Sequence, residues 1–157
     1  MTGQDAVVVV LGIRENPLAV RLWGTSKTPI DVRSQGTAHV VEAMRTHGVK
    51  RLVVQTTYGI GESAGKLTLK WRLLFDLVLK PQIADSTVQE KVVRDSGLDW
   101  VLVQPVSLDD GPAIETFTST EGEARGMAVS RRSVGRHLAK AVADPALVGR
   151  TLAISAA

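Results

Sequence analysis

The chain has 157 residues, 44% of them hydrophobic and 22% charged, a composition that suits one globular domain over 1–157 with its own core and argues against disorder. Its formal charge of +3 arises from 19 Lys and Arg spread along the chain against 16 Asp and Glu, with only 3 Trp, 1 Tyr and 2 Phe, so the basic density and stacking platforms of a nucleic-acid binder are missing. The absence of cysteine excludes disulfides, thiolate metal sites and cysteine nucleophiles and fits a reducing, cytoplasmic setting. No apolar stretch reaches the roughly 18 residues of a membrane span, and Met1–Asp5 lacks the basic region of a secretory leader.

Ala6–Leu11 is continuously apolar and valine-rich, which predicts a parallel strand covered on both faces and ending at Gly12. Residues 13–29 carry two prolines, Gly24 and mixed charge and read as a loop with a short helical turn. A helix is predicted from about Val32 to His47, with Gly48 as its left-handed stop. The strand Leu52–Thr57 follows, then a glycine-rich stretch, Tyr58–Lys66. Residues 67–80 are apolar on nearly every side, as in a helix that is buried or lies at an interface. Pro81 is expected to break it, with a second helix from about Asp85 to Ser96 closing at Gly97. A third strand, Leu98–Gln104, leads to an irregular segment, 106–129, then a helix from Ser133 to Ala143 and a last short strand, Thr151–Ser155. The alternation of strand and helix predicts an α/β fold: a Rossmann-like, doubly wound parallel sheet of about four strands with flanking helices and right-handed crossovers.

Open α/β sheets bind ligands at the carboxyl ends of their strands, which directs attention to Gly12–Arg14, Thr56–Gly61 and Gln104–Leu108. Thr56 and Thr57 offer hydroxyls to a ribose, an amide or a substrate carbonyl, or else to the backbone of the strand end. Gly59-Ile-Gly61-Glu-Ser-Ala64 satisfies the pattern of a dinucleotide fingerprint, yet the next element is a helix rather than a second strand ending in an acidic residue, so the segment reads as a flexible loop on the substrate side. Tyr58, the only tyrosine, lacks a lysine four residues on, and no proton donor of the Tyr-Lys kind is present. His39, His47 and His137 have no second ligand at helical spacing and read as structural or surface residues, so no metal site is expected. No serine sits in a nucleophile elbow. Arg131, Arg132 and Arg136 read as a solvated helix start.

The segments Gly3–Gly12, Gly48-Val-Lys-Arg-Leu-Val, Gln55–Ser63, Ser96–Pro105, Asp110-Gly-Pro112 and Ser130-Arg, in this order and spacing, resemble the atypical short-chain dehydrogenases/reductases. The resemblance is to the NmrA-like NAD(P)H-binding proteins, particularly those similar to the flavin reductase known as biliverdin reductase B. It implies NADP(H) or NAD(H) as cofactor, with Leu11, Gly12, Arg14, Thr56, Thr57 and Pro105 beside it and Thr57 near the reacting ring. Tyr58, Gln104 and Ser107 would then border a small aromatic or conjugated substrate. In that family the glycine-rich phosphate loop lies in a first βαβαβ unit, and this chain is expected to begin just after it. Gln104 stands where many relatives carry arginine, and Ser86 and Ser107 stand where the flavin reductase has histidines. The implied activity is hydride transfer from the nicotinamide to a flavin, quinone or related conjugated carbonyl. Two alternatives remain: a non-catalytic sensor or regulator, and a cofactor-independent redox or oxygenase protein of aromatic natural-product synthesis. Without a first unit, Ala6–Leu11 presents an apolar edge, and a homodimer or a second polypeptide is expected to cover it.

Overall fold

The computed structural model describes residues 1–13, 15, 17–23 and 27–157, and for Pro17, Leu18, Arg21 and Asp76 the backbone alone. Strand β1 (Ala6–Val9) is followed by α1 (Pro17–Trp23), α2 (Val32–His47), β2 (Arg51–Gln55) and a 3₁₀ turn at Gly61–Lys66. Then come α3 (Leu69–Leu74), a π-helical turn (Phe75–Leu79), α4 (Lys80–Arg94), β3 (Asp99–Pro105), β4 (Ser107–Asp109), β5 (Thr116–Ser119), β6 (Ala128–Ser130), α5 (Arg131–Ala143) and β7 (Arg150–Ala156). The main sheet has the order β1-β2-β3-β7-β5, parallel except for β5 against β7, and β4 pairs with β6 in a separate parallel ladder.

Period-two alternation explains how one sheet serves two cores. Val9, Leu52, Val54 and Leu102 pack with Val41 and Met44 of α2 and Val93 of α4, whereas Val53, Val101, Val103, Leu152 and Ile154 pack with Val134, Leu138 and Ala141 of α5. Strands buried on both faces need apolar residues at every position, which is why β2 and β3 read as continuous runs. β1 departs from that expectation. It is the sheet edge, and Val8 and Val10 are 43% and 56% exposed, because α5 covers only part of the face opposite α2 and α4 there.

α2 ends as predicted: Gly48 adopts φ +72°, and its N–H meets the carbonyls of Arg45 and Met44, a left-handed stop that glycine adopts without a Cβ clash. Pro81 does not break the chain's helical course. It falls in the first turn of α4, where a missing N–H costs nothing, and the wide π turn before it lets α3 run directly into α4. Of the apolar stretch 67–80, expected to be buried or at an interface, Phe75 is buried in the chain while Leu69, Leu73, Leu74 and Leu77 are exposed. The segment 106–129 is not wholly irregular: it contributes β4, β5 and the start of β6. Among the described residues, no helix is long and apolar enough to cross a membrane.

Candidate functional site

The carboxyl ends of β1, β2 and β3 open into one cleft of about 580 Å³. Leu11 and Gly12 line it after β1, Thr56, Thr57 and Tyr58 after β2, and Pro105, Val106 and Ser107 after β3. The π turn supplies Phe75 and Leu79 as an apolar wall. The structure therefore brings together Leu11, Gly12, Thr56, Thr57, Pro105, Tyr58 and Ser107; Arg14 lies outside the described residues.

Gln104 does not join them. Residues 102 and 104 of a strand share a face, and that face looks at α4, where Gln104 is completely buried. Its Nε2 donates to Glu90 Oε1 at 2.8 Å and to the Ile60 carbonyl at 3.1 Å, and its Oε1 lies 2.7 Å from the Ser63 hydroxyl. The same parity turns the Thr56 hydroxyl inward to donate to Glu90 Oε1 at 2.7 Å. Glu90, itself buried, also lies 3.4 Å from Arg94, which makes a two-oxygen contact with Glu62 at 2.8 Å. Gln104 is thus a brace beneath the strand ends and the 59–63 loop, and its expected place against the substrate is corrected.

The Gly59–Ala64 segment is held by hydrogen bonds within itself and to its neighbours. The Gly59 N–H donates to Ser63 Oγ at 2.9 Å. Gly61 stands at φ +51°, where an added Cβ would lie 2.9 Å from Glu90 Oε2. Its glycines serve this tight approach, and the loop runs into α3 rather than a second strand, so it is not a phosphate fingerprint.

Tyr58 is 2% exposed and its hydroxyl donates to the Gly122 carbonyl at 2.9 Å. Burial pushes its pKa up, partly offset by Lys66 and reinforced by Glu123, so the phenol holds its proton and contributes a ring wall. Thr57 differs. It is half-buried, and its hydroxyl has one long contact, 3.4 Å to the Tyr58 carbonyl, leaving it open to a group in the cleft.

Among the described lining residues there are two arginines, Arg33 and Arg131, and no Asp or Glu. Arg131 opens α5 beside the Ser130 cap, whose Oγ accepts the Ser133 N–H at 3.1 Å, and pairs with exposed Asp110 at 2.7 Å. Arg33 lies in the first turn of α2. Asp85 of α4 accepts the backbone N–H groups of Arg33 and Ser34 at 3.1 and 3.2 Å and the Ser34 hydroxyl at 2.5 Å, capping α2 from outside. Its carboxylate reaches the Arg33 guanidinium only at 4.0 Å, and burial pushes the Arg33 pKa down against the opposing pull of Asp85. Sequence reasoning missed Arg33. The available signal was a cation in the first turn of a helix, where the dipole disfavours it.

A parallel sheet with its cleft at the carboxyl ends of adjacent strands is the dinucleotide-binding arrangement of Rossmann-type proteins. The chain belongs to the NAD(P)H-binding family, whose model matches residues 1–145, in keeping with the atypical short-chain dehydrogenase/reductase resemblance. Its fold is similar to that of a Bacillus halodurans protein provisionally assigned as an NAD-dependent epimerase/dehydratase, at TM-score 0.72 and 16% identity over 98% of this chain and 64% of that one. It is also similar to a short-chain dehydrogenase/reductase from Veillonella parvula in complex with NADP, at TM-score 0.67 and 18% identity over 78% and 58% of the two chains. A third similar structure is ChuY, an anaerobillin reductase from Escherichia coli O157:H7, at TM-score 0.66 and 22% identity over 78% and 58%. The chain spans less than two thirds of the length of each.

Proposed function

We propose that this protein serves NAD(P)H-dependent reduction of a flavin, quinone or related conjugated carbonyl. The observation that carries the reading is the cleft itself: three adjacent strand ends converge on it, with apolar walls from Phe75, Leu79 and Val106, a weakly held hydroxyl at Thr57, and a chain of the NAD(P)H-binding family around it. A nicotinamide nucleotide, when bound, would supply the hydride.

The donors present suit the ring end of such a nucleotide. Gly12 keeps the floor of the cleft free of a side chain, while Leu11 and Pro105 give it apolar edges. They suit the pyrophosphate less, because the Arg33 and Ser34 amides at the start of α2 are already taken by Asp85. Thr57 is placed to donate a hydrogen bond to an acceptor carbonyl and so hold developing negative charge on its oxygen. Tyr58 and Phe75 keep the acceptor flat and exclude water. No side chain here needs to deliver a proton if the reduced oxygen takes it from solvent at the open mouth, where Ser107 is exposed.

The test is NADPH and NADH oxidation followed at 340 nm with menadione and riboflavin as acceptors. Turnover is expected, and Thr57→Val is expected to lower kcat/KM by about tenfold or more, the scale of one lost transition-state donor. Binding of nucleotide without turnover over a wide acceptor panel would favour the sensor reading. Acceptor binding with no nucleotide affinity would favour the cofactor-independent one.

A further inference from the structure

We propose that Arg33 anchors a carboxylate on the conjugated acceptor, so that the substrate class is a planar aromatic acid; this rests on reading the cleft as the acceptor site. Arg33 is a cation with little to hold it. Its side chain is only 19% exposed, Nη1 is buried with no hydrogen-bond partner, and its ion-pair contact among the described residues is Asp85 Oδ2 at 4.0 Å. Asp85 is spent elsewhere, on two backbone amides and the Ser34 hydroxyl. A desolvated guanidinium so weakly paired gains strongly from an incoming anion, since charge-assisted bonds in a poorly solvated site are worth more than those at a surface.

Geometry says where the anion sits. An added Cβ at Gly12 would lie 3.6 Å from Arg33 Nη2, so the missing side chain leaves that nitrogen facing the cleft beside the floor. Arg33 also borders a side pocket of about 130 Å³, but Glu15 lines that pocket, whereas no carboxylate lines the main cleft among the described residues. The acid therefore lies on the main-cleft side, against Nη2, with the ring system between Thr57 and the apolar walls. Arg131 adds positive potential at the mouth, but it is exposed and held by Asp110, so its part is attraction rather than anchoring.

The experiment is equilibrium dialysis of the full chain against anthraquinone-2-carboxylate and 2-(hydroxymethyl)anthraquinone, which share a ring system and differ in charge. The wild type is expected to bind the carboxylate about tenfold or more tightly than the alcohol, the scale of a charged hydrogen bond. Arg33→Gln is expected to bring the two within about twofold by weakening the acid alone, Arg33→Lys to keep part of the preference, and Arg131→Gln to change it by less than about threefold. A wild type that does not distinguish the pair overturns the proposal, whatever the variants do. So does an Arg33→Gln protein that keeps the preference but loses NADPH affinity, which would assign the guanidinium to a nucleotide phosphate. Dialysis needs no turnover, so failure of the reductase reading appears separately, as absent NADPH oxidation.

Discussion

Replacing Asp85 by alanine tests the coupling between the scaffold and the cleft. The carboxylate accepts the Arg33 and Ser34 amides and the Ser34 hydroxyl, and both Asp85 and Ser34 are buried. Loss of a helix cap costs about 1 kcal/mol, and each charged hydrogen bond left without its acceptor costs about 1.5–3 kcal/mol. The three bonds share one acceptor and relax together, so the total falls short of their sum, at about 3 kcal/mol. For a chain of this size that lowers Tm by about 6–12 °C. Asp85→Asn keeps one acceptor oxygen and should lose about half as much, and Ser34→Ala, which removes only the hydroxyl, about 1 kcal/mol. Urea titration followed by circular dichroism measures all three. A loss below about 1 kcal/mol for Asp85→Ala would refute the capping argument, because solvent or Asp31 would then be replacing the carboxylate. The same variant removes the carboxylate that makes the ion-pair contact with Arg33 among the described residues, so its preference for an aromatic carboxylate is expected to persist or increase.

Three further outcomes are expected. Tyr58→Phe deletes the bond to the Gly122 carbonyl and should cost about 1 kcal/mol in urea, while kcat against pH keeps its shape; a lost alkaline limb would give Tyr58 a proton-transfer role. His137 has its pKa lowered by burial and then by Lys140, and its Nε2 lies 2.7 Å from the Thr116 hydroxyl. Below about pH 6.5 the unfolded chain therefore binds more protons than the folded one, so stability is full above that pH and falls as pH drops; His137→Gln should flatten that limb in melting curves from pH 7.5 to 5. We further propose that a second copy covers the open face of β1: sedimentation is expected to give a dimer for the wild type and a monomer for Val8→Lys, and a wild-type monomer would overturn this.

The sheet was legible in the sequence because both faces of β2 and β3 are covered, which forces unbroken apolar runs, and because Gly48 stands where α2 must stop. The ends of those runs then located the cleft. What stayed hidden was of two kinds. The strands β4, β5 and β6 have 3 to 4 residues each, too few for alternation to register, and Pro81 looks like a break unless the π turn ahead of it is known. Gln104 was a different case, since the parity of β3 was available: Leu102 faces the core under α4, and a residue two further on must face it too.

Arg33 and Asp85 are 52 residues apart in sequence, and no local pattern joins them. An arginine in the first turn of a helix opposes the dipole by about 0.3–1 kcal/mol, and burying it adds a desolvation cost. The fold answers the first cost with a carboxylate from α4, yet that carboxylate spends its bonds on the helix amides and leaves the guanidinium side unfilled. A scaffold built only for stability would place a neutral or acidic residue at position 33 and need no such correction. Local rules are broken at working sites more often than elsewhere, and here the break lies at the one lining position among the described residues that combines low exposure, positive charge and an unmet hydrogen bond.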